Sequence, residues 1–274
     1  MEYGKSFSNS LKFGFNYKRW LPLFVLHAVF FFIFISFALS DLEFFVNFLL
    51  ETEPSADKLI LYGQYAIAMF LFMIAWILLT LYVSISILHQ AHKEKEVKKS
   101  WEVAKKKYLP VLVALIIISI ISFIFGLLGA IPVIGSTIST IISFILAMVF
   151  IFVMPSIIVK NKRAVEAIKD SYNIFKNNFL KVLIIIIGMY VLSFIITLIF
   201  AIPLLILLFD VIMGLAVGEL SATSLLLIVN TLQYNLPALI TACLIGIVGI
   251  TISQTFALKL QVEFYKQFRK RKIF

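Results

Sequence analysis

The sequence predicts an all-α fold, a polytopic transmembrane helical bundle of six spans, and three observations carry that expectation. The 274 residues are 62% hydrophobic with a mean hydropathy of +1.07, and only 14% are charged. Soluble domains hold about 45–50% apolar and about 25% charged residues, so a soluble chain of this size has no way to cover so much apolar surface. Second, charge is absent from long stretches, each at or above the roughly 20 residues that cross a hydrocarbon core. Third, 23 of the 24 Lys and Arg residues fall in four segments that alternate along the chain with acidic ones.

Taken in order, the uncharged stretch 20–40 is the first span, and 61–88, inside the uncharged 59–92, is the second. Residues 108–159 run for 52 positions without a charge. One helix of that length would measure about 78 Å, so the chain must fold back. Gly129, Pro132 and Gly135 mark the turn, which leaves spans at about 109–129 and 133–159. The fifth span, about 181–209, is expected to kink or end near Pro203. The last uncharged stretch, 220–258, holds the sixth span at about 237–258. Segments 211–217 and 224–229 could suggest a seventh, but Gly214, Gly218, Glu219, Asn230, Gln233 and Asn235 interrupt them. They read as an outer interfacial or re-entrant element, and 44–50 as a shorter one. The run after Trp20 is too long for a signal h-region, so it reads as a retained span.

The basic segments orient these spans. They are the N-terminal stretch, 89–107, 160–181 and 259–272, with Lys58 the exception. The intervening loops carry Asp41, Glu43, Glu51, Glu53, Asp57, Asp210 and Glu219. Loops rich in Lys and Arg stay in the cytoplasm, which predicts a multi-pass cell-membrane protein with both termini cytoplasmic. A seventh crossing would put the basic C-terminus outside. The chain then reads as one membrane domain, 1–274.

Within that domain a unit repeats. Ser100-Trp101-Glu102-Val103-Ala104-Lys105 aligns without a gap on Ser171-Tyr172-Asn173-Ile174-Phe175-Lys176, and Tyr108-Leu109 on Phe179-Leu180. Trp20-Leu21-Pro22-Leu23 resembles Tyr108-Leu109-Pro110-Val111. Three helix-plus-hairpin units, about 1–88, 89–159 and 160–274, would give six spans. Each begins with an amphipathic helix expected at the cytoplasmic face. Val165, Ile168, Tyr172, Phe175 and Phe179 recur at helical spacing, opposite Glu166, Lys169, Asp170, Asn173, Lys176 and Asn177. Val97, Trp101, Ala104 and Tyr108 repeat the stripe, and Phe7, Leu11 and Phe15 suggest it again. Such a helix either lies in the headgroup plane or packs on the ends of the bundle. Trp101, Lys105, Tyr108, Tyr172, Lys176 and Phe179 are therefore the candidate lipid-contacting residues.

The segments Pro155-Ser156-Ile157-Ile158-Val159, Ala164 through Tyr172, and Asn177-Asn178-Phe179 carry a resemblance. They resemble uncharacterised six-helix integral membrane families that include the membrane-anchor domain of some glycerophosphodiester phosphodiesterases. The resemblance implies a membrane module and assigns no residue a role.

The sequence gives little sign of reaction chemistry. It contains no Gly-x-Ser-x-Gly, HExxH or phosphate-binding glycine loop. His27 lies within the first span with no acidic residue beside it, which suggests a neutral interhelical histidine. His89 and His92 have metal-like spacing but no evident third ligand, and read as a solvated face. Asp210 reads as a helix cap or, with Glu219, as part of an outer vestibule. Ser119, Ser122, Ser136, Ser139, Ser143, Ser193, Thr197 and the Thr251–Thr255 cluster suit helix packing or, if they converge, a polar path. Cys243 reads as a small core residue. The formal charge of +10 is concentrated in the basic segments, which implies anionic lipid rather than nucleic acid as partner. No cofactor or metal is expected. The expected function is a non-enzymatic membrane module, a scaffold or regulator associating with lipids or partner proteins. The alternative is a transporter or lipid-translocating protein.

Overall fold

Ten helical elements follow one another in a computed structural model that describes residues 1–40, 55–131, 134–209, 213 and 235–270. They are α1 (Tyr3–Gly14), α2 (Tyr17–Ser40), α3 (Ala56–His92), α4 (Val97–Gly126), a 3-10 turn (Leu127–Ala130), α5 (Gly135–Phe150), α6 (Val153–Lys160), α7 (Ala164–Asn177), α8 (Phe179–Leu207) and α9 (Leu236–Lys270). Among the described residues six helical segments are long and apolar enough to cross a membrane: Tyr17–Phe37, Ala56–His92, Val97–Ala130, Gly135–Lys160, Phe179–Leu207 and Leu236–Arg269. These are the marks of a multi-pass membrane protein. The element expected at 44–50, that at 211–235 apart from Met213 and Asn235, and the cap expected at Asp210 lie outside the described residues.

Several helices run past the apolar stretches that predict them. The sequence places the end of the sixth span near 258, yet α9 continues to Lys270. Residues 259–270 contain no Gly or Pro and are mostly good helix formers, so nothing stops the helix. At 1.5 Å per residue, 35 residues reach about 52 Å, well past a hydrocarbon core of about 30 Å. Helix α4 likewise joins its amphipathic start to its span in one 30-residue helix, with Pro110 inside. The other two amphipathic segments are separate helices: α1 ends at Gly14 ahead of α2, and α7 ends at Asn178 (φ −143°, ψ 35°), whose side-chain amide donates to the Ile174 carbonyl at 3.2 Å.

The fourth span is broken at Ile151–Phe152. Pro155 has no N–H to give the Ile151 carbonyl, and its ring crowds that carbonyl. The short α6 then ends on Asn161 in the left-handed region (φ 59°). The turn before α5 depends on Gly135, because a Cβ there would strike the Leu128 carbonyl oxygen and lie 3.0 Å from that of Gly129.

The chain forms two compact units. One comprises Met1–Trp20, Leu81–Phe194 and Ser253–Phe274. Its core includes Phe152, Phe256, Phe264 and Tyr265, each fully buried. Phe152 meets Phe268 at 5.4 Å between ring centroids, and α1 lies against α9 through Tyr3–Phe264 at 5.6 Å and Phe7–Phe264 at 5.8 Å. The other comprises Leu21–Thr80 and Ile195–Ile252. In it α2 and α3 pair antiparallel through His27–Trp76, Phe30–Phe72 and Phe37–Tyr65.

Candidate functional site

All four basic segments meet in the first unit, and what joins them is a set of buried charges. Asp170, on α7, is 6% exposed. Its Oδ2 accepts from the Ser156 hydroxyl at 2.8 Å and the Tyr265 hydroxyl at 2.9 Å. Its Oδ1 pairs with Lys162 Nζ at 2.8 Å and with the Arg269 guanidinium. A carboxylate has about four lone-pair sites, so this one is saturated. Removing such a group from water costs several kcal/mol unless it is paired this way. The sequence reading puts Asp170 on the solvated face of α7; the structure corrects this. The packing face of α7 is Ala164, Ala167, Asp170, Ser171 and Ile174, all buried. The small residues let α7 approach closely enough for the carboxylate to reach α6 and α9.

A second node centres on Lys259, 4% exposed. Its ammonium contacts Glu94 at 2.6 Å, Glu263 at 2.9 Å and the Ala91 carbonyl at 3.0 Å. Phe13 lies between two cations, with Lys259 Nζ 5.3 Å and the Arg19 guanidinium 5.2 Å from its ring centre. Arg19 donates to Gln90 Oε1 at 2.9 Å and to the Glu94 carbonyl at 2.8 Å. Gln90 donates in turn to the Ser100 hydroxyl at 3.0 Å, and Ser100 lies 2.8 Å from the Ser86 hydroxyl. Lys266 donates to the His92 carbonyl at 3.1 Å. These contacts tie together the N-terminal, second and C-terminal basic segments, while Asp170 ties the third to the C-terminal one.

His89 and His92 do not form the solvated face that the sequence suggests. His89 is 6% exposed, with Nε2 3.5 Å from the Glu96 carboxylate, and His92 Nδ1 is buried. The longer α3 carries them into the packed unit. Glu96, next to Lys93 at 3.2 Å, has its carboxyl held below the usual range, chiefly by that hydrogen bond. Among the described residues no three His, Cys, Asp or Glu side chains come together as a metal group.

The candidate lipid-contacting residues divide. Trp101 and Tyr108 are half-buried against Tyr82, with centroids 5.8 and 6.1 Å away, and Lys105 is exposed. On α7 the aromatic stripe is not the packing face. Val165 is 54% exposed, Tyr172 46% and, at the start of α8, Phe179 45%, with Phe175 half-buried 5.6 Å from Phe179. Glu166, Lys169, Asn173, Lys176 and Asn177 form a third, exposed face. At 3.6 residues per turn α7 thus has three sectors of roughly 120°: small and packed, apolar and exposed, polar and exposed. His27 is 6% exposed, and its Nδ1 accepts from the Trp76 indole N–H at 3.2 Å. Of the scattered polar residues, Thr251, Ser253 and Thr255 are buried, whereas Ser119, Ser122, Ser136 and Ser143 are exposed.

Comparison with curated proteins and with solved structures finds no match to this chain. A family model matches residues 129–268, from the turn before α5 almost to Arg269, and takes in Ser156, Asp170, Ser171, Lys259 and Tyr265. That match spans half of the sequence, and the chain belongs to the family described as Domain of unknown function (DUF7847).

Proposed function

We propose that the protein is a non-enzymatic integral membrane module, a scaffold or regulator that gathers anionic lipid on its basic face. The observation that carries this reading is the division of α7. Its small residues and Asp170 hold it on the unit, leaving Tyr172 and Phe179 exposed beside Lys169 and Lys176. Burial of such aromatics at an interface and attraction of basic side chains to anionic headgroups act together, at about 1 kcal/mol per basic residue. On α4 the exposed Lys105 stands beside Trp101 and Tyr108, which are half-buried against Tyr82 and offer a second, smaller edge.

Two further observations support the reading. The buried charges, Asp170 and Lys259, are engaged with partners from other helices, which suits a structural framework better than a reacting centre. The convergence of the four basic segments in one unit suits a cell-membrane protein with that face and both termini cytoplasmic. The three-unit repeat draws support from Ser100 and Ser171: aligned in sequence, both are fully buried, and each bonds to the preceding helix pair.

The test is quenching of tryptophan fluorescence in the full chain, reconstituted with brominated phosphatidylglycerol or brominated phosphatidylcholine. Stronger quenching by the anionic lipid, weakened by salt, is expected. Equal quenching by both would remove lipid recognition from the reading.

A further inference from the structure

We infer that the joint between α3 and α4 is a proton-sensitive latch: α4 seats on α3 while His89 and His92 are neutral, and protonation of the two rings releases it. This goes beyond the lipid reading, which gives neither histidine a part. The seat is built of hydrogen bonds that only a packed joint can make. Ser100 on α4 lies 2.8 Å from the Ser86 hydroxyl and accepts from the Gln90 amide at 3.0 Å, and Tyr82 donates to the Trp101 carbonyl at 3.3 Å. His89, next to Gln90, and His92 stand on the last turn of the same α3.

The rings are the exception in this seat. Most buried polar atoms in a folded chain have a partner, yet His89 Nδ1 and Nε2, His92 Nδ1 and Glu96 Oε2 are all buried without a hydrogen bond among the described residues. His89 Nε2 lies 3.5 Å from Glu96 Oε2, beyond the usual N–H···O range. A neutral imidazole tolerates such a place far better than an imidazolium, whose desolvation only a free counter-charge would offset. None is free. His89 is faced by Glu96, Lys93 and Lys99, and His92 by Lys266, Lys93, Glu96 and His89 itself. Glu96 is the one carboxylate in this set, and it already holds Lys93 at 3.2 Å and Lys99 at 3.6 Å. The neighbouring Glu94 is taken by Lys259 at 2.6 Å. Three lysines around one carboxylate leave an excess of positive charge before either ring gains a proton, and each charged ring would then repel the other.

The sign of the response follows. Packed, the joint disfavours protonated rings; open, both rings reach water and titrate near the ordinary histidine value of about 6.5. The open form therefore binds more protons as pH falls through that range, and the closed joint loses stability. Between about pH 7.5 and about pH 5.5, each histidine that titrates only when open favours opening by about tenfold, and the two together by up to about a hundredfold.

The experiment uses the full chain in detergent, carrying Cys243→Ala, and reads how fast a cysteine placed at the fully buried Ser100 reacts with a maleimide. A cysteine placed instead at the exposed Lys95, measured at each pH, cancels the pH dependence of the thiol itself. The ratio of the two rates should rise at least about tenfold between about pH 7.5 and about pH 5.5. His89→Gln or His92→Gln alone should reduce the rise, and the two together should abolish it. Glu96→Gln, which leaves both rings, should keep it. An unchanged ratio in the chain with both histidines overturns the latch. So does a rise that survives in the double variant, and so does one that Glu96→Gln abolishes, which would make the carboxylate the titrating group. Should the double variant prove open at every pH, ring NMR of the chain with both histidines decides. There the His89 and His92 rings should stay neutral until the Ser100 position becomes reactive, and titration of either ring in the closed joint overturns the proposal.

Discussion

The Ser171 hydroxyl stitches the broken fourth span, accepting the Phe152 backbone N–H at 3.2 Å and donating to the Val149 carbonyl at 2.5 Å. In an unbroken helix those two groups would bond within the helix. The break ahead of Pro155 frees them, and a side chain from α7 takes them both. Ser171→Ala should therefore lower stability by about 1–3 kcal/mol, since it leaves a buried N–H and a buried carbonyl unsatisfied. The measure is the midpoint of thermal unfolding in detergent. Tyr172→Ala, next to it but exposed, should shift the midpoint far less.

How much of this was legible depends on the range of the interactions. Spans sum a weak signal over some twenty residues, so 108–159 announced its fold-back and turn from composition alone. The basic segments announced one shared face, and contacts such as Arg19–Gln90 and Lys266–His92 bring them together. The buried charges were not legible. A lone Asp or Lys in sequence reads as solvated, and Asp170 finds Tyr265 across 95 positions, Lys259 finds Glu94 across 165. One local signal was available: Ala164, Ala167 and Ser171 are small residues at helical spacing and mark the packed face that includes Asp170. The aromatic stripe beside it was more conspicuous, and so the face of closest packing was misread.

Lys259 and its carboxylates should respond asymmetrically to mutation. The lysine side chain is 5% exposed, whereas those of Glu94 and Glu263 are 55% and 22% exposed. After Lys259→Met both carboxylates can turn to water, and the methionine stem fills the space beside Phe13, so a loss of only about 1–2 kcal/mol is expected. The pair Glu94→Gln and Glu263→Gln leaves a buried ammonium with neutral acceptors only, the two amide oxygens and the Ala91 carbonyl, and no compensating charge, which should cost about 3–5 kcal/mol. Thermal unfolding of the three proteins checks the order. A greater loss for Lys259→Met would mean that the carboxylates, not the lysine, are the groups held against their solvation.

Two glycines in one hairpin should behave oppositely. A Cβ on Gly135 meets backbone oxygens of Leu128 and Gly129, which cannot swing aside as a side-chain end would, whereas a Cβ on Gly126 meets nothing within 4 Å. Gly126→Ala should be neutral or stabilise the end of α4 by up to about 1 kcal/mol. Gly135→Ala should destabilise, by about 1–3 kcal/mol, as overpacking against fixed atoms does. Folded yield and unfolding midpoint in detergent measure both.

The arrangement of the spans yields the last prediction. Contacts in the first unit join the start of α2, the end of α3, the start of α4, α6, α7 and the end of α9. The proposed function predicts that the helix ends carrying these contacts share one side of the membrane. Residues 55 and 131 belong to the opposite ends of the hairpins, and both are exposed. In a chain with Cys243 replaced by Ala, single cysteines at Ser55 and Ile131 should react with an impermeant thiol reagent applied to intact cells. Cysteines at Lys99 and Lys169, exposed on the basic face, should react only after the membrane is opened. Ser100 is unsuitable as a reporter there, being fully buried, so silence at that site would carry no information. Positive loops are retained inside during insertion, which fixes the direction of the expected result. Labelling of Lys99→Cys and Lys169→Cys in intact cells, with Ser55→Cys silent, would invert the orientation. Labelling of Lys99→Cys but not Lys169→Cys would contradict the shared face itself and, with it, the contacts of Asp170 and Lys259 that define the unit.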